Sequence, residues 1–572
     1  MSKRDFQNWS KDKLLHEYKE LLKRKKFGIV WEDRPEDVAE QCKTSLPVLK
    51  EEKKRDISSD KSDVTHIMIE ADNYHALSVL NYTHKRKIDL IYIDPPYNTG
   101  NKSWMYNNHY VEKDDRYRHS KWLSFMSKRL RLAKKLLKEN GALICAIDDY
   151  ELNTLGLLLD EIFPTYEVNI IIVEHHPQGA GSITISRTHE YAYVLTPKGL
   201  GIEGRAINSE EGRWSLKRSG QGENNWRENR PNQFFSILID SAKSEVVGIG
   251  PAIPKEQKKY PTNKTSEGYL RIYPLDKNGD ERVWRYNRNT MSELIKRGAI
   301  EYTKKGALIV KKSGVASSPI FSVWRGSQYN AGTHGTGLIA QILGKNFPYP
   351  KSLHTVREMI SMIVRNRKNA IVLDFFAGSG TTGHAVLELN KEDEGNRQFI
   401  LCTNNEDNNG SGTKIASDIC YPRIKNVMRG YKVKTEKVSG LGGNLKYFST
   451  AFVDNVKTDN DKRTFTSRCT EMLCLAEGTF DDVINKKGAF AIYENQKQIT
   501  GIIYDEDAIA DFKKEAKKYN KPFVVYVFSY DHTYNEEDFE GLENLRMVKP
   551  IPEVILNVYR KIYKELYKPR HL

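Results

Sequence analysis

A carboxylate, two prolines and an aromatic ring follow one another at Asp94, Pro95, Pro96 and Tyr97. The six residues before them, 88–93, are nearly all apolar and β-prone, which is typical of a parallel strand buried on both faces. Asp94 therefore falls at the carboxyl end of a predicted strand. Ligands bind at this edge of open α/β sheets, so the position suits chemistry.

These four residues could hold an exocyclic amine of a nucleic-acid base. Such an amine is a poor nucleophile because its lone pair is delocalised into the ring, so a catalyst has to accept hydrogen bonds from both N–H groups. The carboxylate of Asp94 can accept one and the carbonyl of Pro95 the other. Tyr97 offers a face for stacking, and a base in a duplex must be flipped out to reach it, at a cost of about a few kcal/mol. The pattern predicts methylation of the amine without a metal, although the four residues could also be a simple strand-ending turn.

A second segment favours the chemical interpretation. Residues 370–374 read as another buried strand, and a glycine-rich turn leads from it into a helix expected over 384–389. The turn contains Phe376, Ala377, Gly378, Ser379, Gly380 and Thr381. Its glycines allow positive φ or close approach of a ligand, and the helix amino terminus can bind a carboxylate. The turn lacks the third glycine of a dinucleotide site, and no Gly-Lys-Ser/Thr follows, so NAD and ATP are poorly supported.

In this order, the two motifs resemble the β class of S-adenosylmethionine-dependent amino-methyltransferases that act on DNA. The resemblance implies an α/β fold, with a Rossmann-like methyltransferase domain whose mostly parallel sheet is built from two chain segments. It also implies an inserted target-recognition domain and S-adenosylmethionine as cofactor. Asp72 corresponds to the acidic residue that contacts the adenosine, and Glu406, or else Asp407, is placed to bind the ribose. Lys351 precedes a helix that resembles the segment closing over the cofactor, so the resemblance also implies that Lys351 binds the cofactor.

The resemblance narrows towards modification (Mod) subunits of type III restriction-modification systems, on segments such as 97–100, 120–126 and 442–448. It implies adenine N6 as the target, double-stranded DNA as substrate, a homodimer, and a restriction subunit carrying its own helicase and nuclease. Methylation of cytosine N4 stays open, because its families more often begin the motif with Ser. A catalytically silent DNA-reading scaffold for a nuclease partner stays open as well.

Charge points to a polyanionic partner independently of these motifs. The 572 residues carry a formal charge of +15, and residues 201–340 hold 23 Lys and Arg against 14 Asp and Glu. This basic stretch also contains many aromatic residues, so we expect it to read DNA. The candidate DNA contacts are Arg227, Arg230 and Arg285 here, with Asn98, Trp104, Tyr106 and Arg116 in the loop after the catalytic motif. That loop could be a flap over the pocket or an ordinary solvated loop.

Length predicts two to four domains. The predicted segments are a charged helical arm (1–60), a catalytic half (61–200), the recognition domain (201–345), a cofactor-binding half (346–435) and a C-terminal α/β module (436–572). Residues 470–572 of this module hold 15 Lys and Arg against 18 Asp and Glu, and this slight acidity favours docking of a protein partner or a purely stabilising role over DNA contact.

Six cysteines without a Cys-x-x-Cys pair predict neither disulfides nor zinc. His175 and His176 are adjacent, and on a strand they would face opposite ways, so we expect no metal site. No apolar signal core begins the chain and no run of eighteen apolar residues occurs, so a soluble, cytoplasmic protein is expected.

Overall fold

The computed structural model describes residues 9–23, 31–59, 64–100, 105–106, 109–179, 185–202, 204–206, 213–303, 306–311, 317–345, 347–405, 412–454, 456–486 and 488–566. The chain divides into two compact units, residues 1–203 with 321–572, and residues 204–320. The predicted recognition domain, 201–345, therefore extends beyond the second unit, because residues from 321 onwards belong to the first.

The first part of the larger unit alternates strands and helices. Its elements are α1 (Lys11–Lys23), α2 (Asp37–Gln41), β1 (Ser45–Glu51), β2 (Thr65–Glu70), α3 (Asn73–Thr83), β3 (Ile88–Ile93), β4 (Met105–Tyr106), β5 (His109–Tyr110), α4 (Arg118–Lys134), β6 (Leu137–Ile147), α5 (Leu152–Ile162), β7 (Tyr166–Val173) and β8 (Glu190–Pro197). All six residues of β3 are buried, as expected for a strand covered on both faces.

The smaller unit consists mainly of short strands. Its elements are β9 (Arg205–Ala206), β10 (Arg213–Ser215), β11 (Phe235–Asp240), β12 (Glu245–Ala252), β13 (Leu270–Ile272), α6 (Arg288–Lys296), β14 (Ile300–Tyr302), β15 (Leu308–Lys311) and β16 (Ser317–Ser318). Two three-stranded antiparallel sheets, β10-β15-β14 and β12-β11-β13, pack around a core that includes Phe235 and Trp284.

The chain then completes the larger unit. Its remaining elements are β17 (Val323–Trp324), α7 (Leu338–Leu343), α8 (Leu353–Val364), β18 (Ile371–Asp374), α9 (Thr381–Asp393), β19 (Gln398–Thr403), α10 (Tyr421–Arg429), β20 (Gly430–Val433), β21 (Glu436–Ser439), β22 (Asn444–Asp454), α11 (Asp459–Arg468), α12 (Thr470–Glu477), β23 (Asp481–Lys486), β24 (Phe490–Glu494), β25 (Ile499–Ile503), α13 (Ile509–Ala516), β26 (Phe523–Phe528), β27 (Leu545–Ile551) and α14 (Glu553–Leu566).

Ten of these strands form the central sheet, in the order β1-β22-β2-β19-β18-β3-β6-β8-β7-β17. The strands from β22 to β6 are all parallel, and β8 is antiparallel to both β6 and β7. Strand β18, from the second half of the chain, lies between β19 and β3. The predicted α/β fold with a mostly parallel sheet built from two chain segments is confirmed.

The first and last segments of the predicted domain division differ from the structure, because each contributes a strand to the central sheet. Residues 45–51 were expected in a charged arm, but they form β1, which pairs with β22 along seven residues. Strand β22 was expected in the C-terminal module, yet it continues the central sheet beside β2. The module itself contains the five-stranded sheet β23-β24-β25-β26-β27. Among the helices of the described residues, none combines the length and the hydrophobicity that a membrane span requires.

Candidate active site

The two predicted motifs end neighbouring parallel strands. In the register between β18 and β3, Leu373 pairs with Ile91. Asp94 and Phe376 each lie three residues beyond that pair. The catalytic turn (residues 94–97) and the glycine-rich loop (residues 376–381) therefore begin at the same level of the same sheet edge. This is the edge at which α/β sheets bind ligands.

The catalytic turn is held from below by side chains of the flanking helical segments. Trp122, in α4, donates its indole N–H to the carbonyl oxygen of Pro96 at 2.7 Å. Asn98 adopts a left-handed conformation, with φ of +57°. Its amide donates to a carboxylate oxygen of Glu151 and, at 3.4 Å, to the carbonyl of Arg118. Asn98 is completely buried and fixes the turn, so its contact with DNA stays a prediction.

Above the turn, one ammonium group joins three side chains. Nζ of Lys351 lies 3.2 Å from a carboxylate oxygen of Asp94 and 2.6 Å from one of Glu190. It also donates to the hydroxyl of Tyr97 and lies 4.5 Å from the centre of that ring. The Tyr97 hydroxyl donates to the same oxygen of Glu190 at 3.1 Å. Asp94 and Tyr97 are thus fixed relative to each other before any base is present.

Burial raises the pKa of Asp94 above its ordinary value, and the ammonium of Lys351 opposes this effect. Burial would also raise the pKa of Glu190, but the ammonium of Lys351, together with hydrogen bonds from Lys351 and Tyr97, outweighs it and holds that pKa below its usual range. Burial acts to lower the pKa of Lys351, yet the two carboxylates keep it raised. We therefore assign Lys351 as charged, between an ionised Glu190 and the Asp94 carboxyl.

Lys351 was predicted to bind the cofactor, whereas its ammonium contacts the catalytic motif. Glu190 was missed by the sequence analysis. It is the first residue of β8, and an antiparallel strand begins at the edge where its parallel neighbours end. A carboxylate opening a strand could have been noticed, but only with the direction of β8 known.

The glycine-rich loop is shaped by hydrogen bonds to Asp374. This carboxylate accepts from the backbone N–H of Phe376 at 2.9 Å and from the Thr382 hydroxyl at 2.5 Å. Gly378 and Gly380 have φ of +48° and +79°, values that residues with a side chain rarely adopt. A Cβ on Gly380 would also press to 3.0 Å from the sulfur of Cys420, so glycine is required there twice over.

A buried guanidinium braces the same loop from beneath. Arg423, in α10, donates to the carbonyl and hydroxyl of Ser379 at 3.3 and 3.0 Å and to the hydroxyl of Thr381 at 2.8 Å. It is completely buried, and burial lowers its pKa to about 10. The sequence analysis did not indicate this role for Arg423, because a helix pattern does not reveal which loop the helix will contact.

The other predicted cofactor residues have varied surroundings. Asp72 accepts from the backbone N–H of Tyr74 at 2.7 Å and so caps α3, and it lies 3.4 Å from a guanidinium nitrogen of Arg129. The half-buried ring of Phe376 packs beside Phe125, with ring centres 5.9 Å apart. Ala377 is buried and donates its N–H to the carbonyl of Cys402. Glu406 and Asp407 lie outside the described residues.

The predicted DNA contacts also differ from one another in burial. Arg227 is buried, pairs with Glu281 at 2.8 Å and donates to the carbonyls of Pro254 and Gln257, so its contact with DNA stays a prediction that its surroundings do not favour. Arg230 and Arg285 are half-buried. Arg116 is exposed, whereas Trp104 lies outside the described residues. Tyr106 is placed only by its backbone, in β4.

A family model described as DNA methylase matches residues 88–410, more than half of the chain. The chain belongs to the N6/N4 DNA methylase family. The matched range begins at β3 and includes both motifs, so the methylase region contains the catalytic turn, the smaller unit and the glycine-rich loop.

Individual relatives include two kinds of methylase. The EcoPI Mod subunit, a type III restriction-modification enzyme of Escherichia phage P1, is 28% identical over 69% of this chain and 67% of its own length. The type II methyltransferase M.KpnI of Klebsiella pneumoniae is 31% identical over 62% of this chain and 86% of its own. The StyLTI Mod subunit of Salmonella typhimurium is 27% identical over 77% and 70%.

Solved structures resemble the chain more distantly. The M1.HpyAVI–SAM complex is 14% identical, covering 63% of this chain and 97% of its own, with a TM-score of 0.29. The cytosine-N4-specific PvuII DNA methyltransferase is 12% identical, covering 64% and 94%, with a TM-score of 0.30.

Proposed function

We propose that this DNA methylase transfers a methyl group from S-adenosylmethionine to N6 of a flipped adenine in a specific DNA sequence, as the Mod subunit of a type III system. Membership of the N6/N4 DNA methylase family establishes methylation of a DNA amine. The observation that carries the reaction is the placement of Asp94 and the glycine-rich loop at the ends of neighbouring parallel strands. A base amine and a methyl donor could meet there.

The glycine-rich loop fits the proposed cofactor. A Cβ built on Gly378 would meet only the Phe376 carbonyl, at 3.8 Å, so this side of the loop is open to a ligand. Helix α9 begins after Gly380 without a side-chain cap. Its first-turn amides therefore suit the carboxylate of the cofactor's methionine part. Residues 376–381 would hold that part, and Asp72 and Glu406 remain the proposed contacts to the adenosine. When bound, S-adenosylmethionine supplies an electrophilic methyl group.

The catalytic turn supplies acceptors for the amine. Asp94 accepts one N–H, and the carbonyl of Pro95 accepts the other, since Trp122 engages the next carbonyl, that of Pro96. Two acceptors orient the nitrogen lone pair towards the methyl group, and fixed alignment of the reactants provides much of the rate enhancement. Tyr97 stacks on the base, with its hydroxyl anchored by Glu190.

The target base is tested by digesting methylated DNA to nucleosides after incubation with labelled S-adenosylmethionine. We expect N6-methyl-2′-deoxyadenosine, because the motif begins with Asp. N4-methyl-2′-deoxycytidine would overturn the adenine assignment while leaving the methylase assignment intact. No label in any DNA, together with sequence-selective binding, would favour the silent scaffold.

The type III assignment rests on likeness to relatives named as Mod subunits. The likeness to M.KpnI favours a second candidate, a methyltransferase of a type II system. Co-purification with a helicase-nuclease subunit encoded beside the chain would support the first, and a solitary active enzyme would support the second. Sedimentation with and without duplex DNA tests the proposed homodimer; a monomer under both conditions would contradict it.

A further inference from the structure

The side chains above the catalytic turn do not balance in charge. Two carboxyl groups, Asp94 and Glu190, share the one ammonium of Lys351. The side chains of all three are largely removed from solvent, with exposed fractions of 26%, 7% and 12%. Like charges brought together in a medium of low dielectric constant cannot both stay ionised without a cation.

Within the part of the chain that the structure describes, the groups that face this pair from the surrounding elements do not supply a second cation. They are Tyr92 in β3, Tyr97 in the catalytic turn, Cys145 and Asp148 at the end of β6, His175 after β7, and Asp374 at the end of β18. Burial lowers the pKa of His175, which favours the neutral imidazole near pH 7. Burial raises the pKa of Asp148 to about 6. Lys351 is thus the cation in direct contact with the pair.

We propose that Lys351 is a positioning residue that keeps Asp94 ionised beside the buried Glu190, so that Asp94 can accept the N–H of the target amine. The inference rests on the proposed function and extends it, since it assigns roles to Lys351 and Glu190 that differ from cofactor binding. Lys351 lies closer to Glu190, at 2.6 Å, than to Asp94, at 3.2 Å. Glu190 therefore anchors the ammonium of Lys351. From this position the ammonium stabilises the ionised carboxylate of Asp94.

Removal of Lys351 alone should favour protonation of Asp94, whereas removal of Lys351 together with the Glu190 carboxylate should not. In Lys351→Met, Asp94 and Glu190 would share a proton, and a protonated Asp94 is a weaker acceptor than a carboxylate. In the double variant Lys351→Met/Glu190→Gln, Asp94 no longer faces the carboxylate of Glu190. Its ionisation should largely recover, although its burial remains.

The test is the pH dependence of kcat/KM for DNA in the full-length enzyme. For Lys351→Met we expect the acidic limb to move up by about one pH unit or more, equivalent to about a tenfold loss on that limb. The double variant should return most of the way to the wild-type position, and Lys351→Arg should retain it. An unshifted limb in Lys351→Met, or a double variant as shifted as the single one, would overturn the proposal.

Lys446 provides a matched control. Its ammonium also bridges two carboxylates, Glu51 at 2.6 Å and Asp56 at 2.8 Å, but beside β1 rather than at the catalytic edge. Lys446→Met should lower stability without moving the acidic limb. An equal shift in this variant would attribute the effect to general loss of structure and would contradict the proposed role.

Stability gives a readout that does not depend on methylation. In Lys351→Met both carboxyl groups should have folded pKa values above their unfolded values, so their stabilising effect is present at low pH and lost as pH rises. The fall in the free energy of unfolding between pH 5 and pH 8, measured with urea, should be steeper than in wild type. It should be less steep in the double variant. If wild type methylates no DNA, the proposed function fails, while identical pH slopes in all variants would reject the ion-pair role.

Discussion

The indole N–H of Trp122 and the carbonyl of Pro96, 2.7 Å apart, join α4 to the catalytic turn. Trp122 is completely buried, so this hydrogen bond is shielded from water. It locks the peptide immediately after the proposed acceptor, Pro95, and the geometry of the amine site depends on it.

Trp122→Phe should therefore lower kcat for methylation more than it weakens the binding of DNA. The change keeps most of the packing but leaves a buried carbonyl without its donor, at a cost of about 1–3 kcal/mol in the free energy of unfolding. We expect kcat to fall at least about tenfold because the acceptors are misaligned. Trp324→Phe removes a similar indole bond, to the Phe321 carbonyl, away from the turn. It should lower stability with kcat unchanged, and an equal loss of kcat in both variants would contradict the idea.

Asp94→Asn should lower kcat by about 10²-fold or more, because the amide cannot replace a carboxylate as acceptor for a developing positive charge. Binding of S-adenosylmethionine, measured by calorimetry, should stay within a few-fold of wild type. Near-normal turnover in this variant would remove Asp94 from the mechanism.

Arg423→Met should weaken S-adenosylmethionine binding about tenfold or more. The substitution removes the three hydrogen bonds from Nη1 of Arg423 that brace Ser379 and Thr381, so the loop loses its fixed shape. Arg397 is an equally buried arginine that binds Asp393, at the other end of α9, and the backbone carbonyls of Val364 and Arg365 at the end of α8. Arg397→Met should reduce stability but leave cofactor affinity unchanged in the same titration, and equal weakening by both variants would count against a specific role for Arg423.

Asp374 should make stability depend on pH. Burial raises the pKa of Asp374 to about 7, above its unfolded value near 3.8, so its stabilising effect is complete at low pH and is lost as pH rises towards 7. Urea unfolding of wild type should therefore show a larger fall from pH 4.5 to pH 7.5 than Asp374→Asn, whose amide does not titrate. Parallel curves for the two proteins would show that Asp374 ionises normally.

Arg285→Ala should weaken DNA binding and reduce the slope of log affinity against log salt concentration by about one, as expected for loss of a phosphate contact. The half-buried guanidinium of Arg285 donates to the Ser215 carbonyl at 2.7 Å and retains further donors. Arg227→Met should lower the stability of the smaller unit and leave the salt slope unchanged, because Arg227 is committed to Glu281 and backbone carbonyls. A reduced salt slope in Arg227→Met would support the prediction that Arg227 contacts DNA.

The C-terminal module illustrates the limits of local patterns. Apolar runs in the sequence at 489–493, 499–504 and 523–528 coincide with β24, β25 and β26. Their apolar runs are short and bounded by turn residues, which is a local signal. Membership of β1 and β22 in the central sheet was not predicted, because strand pairing depends on partners far away in the chain.

The sequence by itself determined the strand ending at Asp94, the glycine-rich loop and the order of the two motifs, since hydrophobic runs and turn residues act locally. Only the tertiary structure brought Lys351 to Glu190 and Tyr97, from which it is separated by 161 and 254 residues. It likewise buried Asn98 and Arg227 and placed Arg423 under the loop. Burial and charge pairing are properties of the packed chain, and a side chain's partners follow from which strands and helices become neighbours.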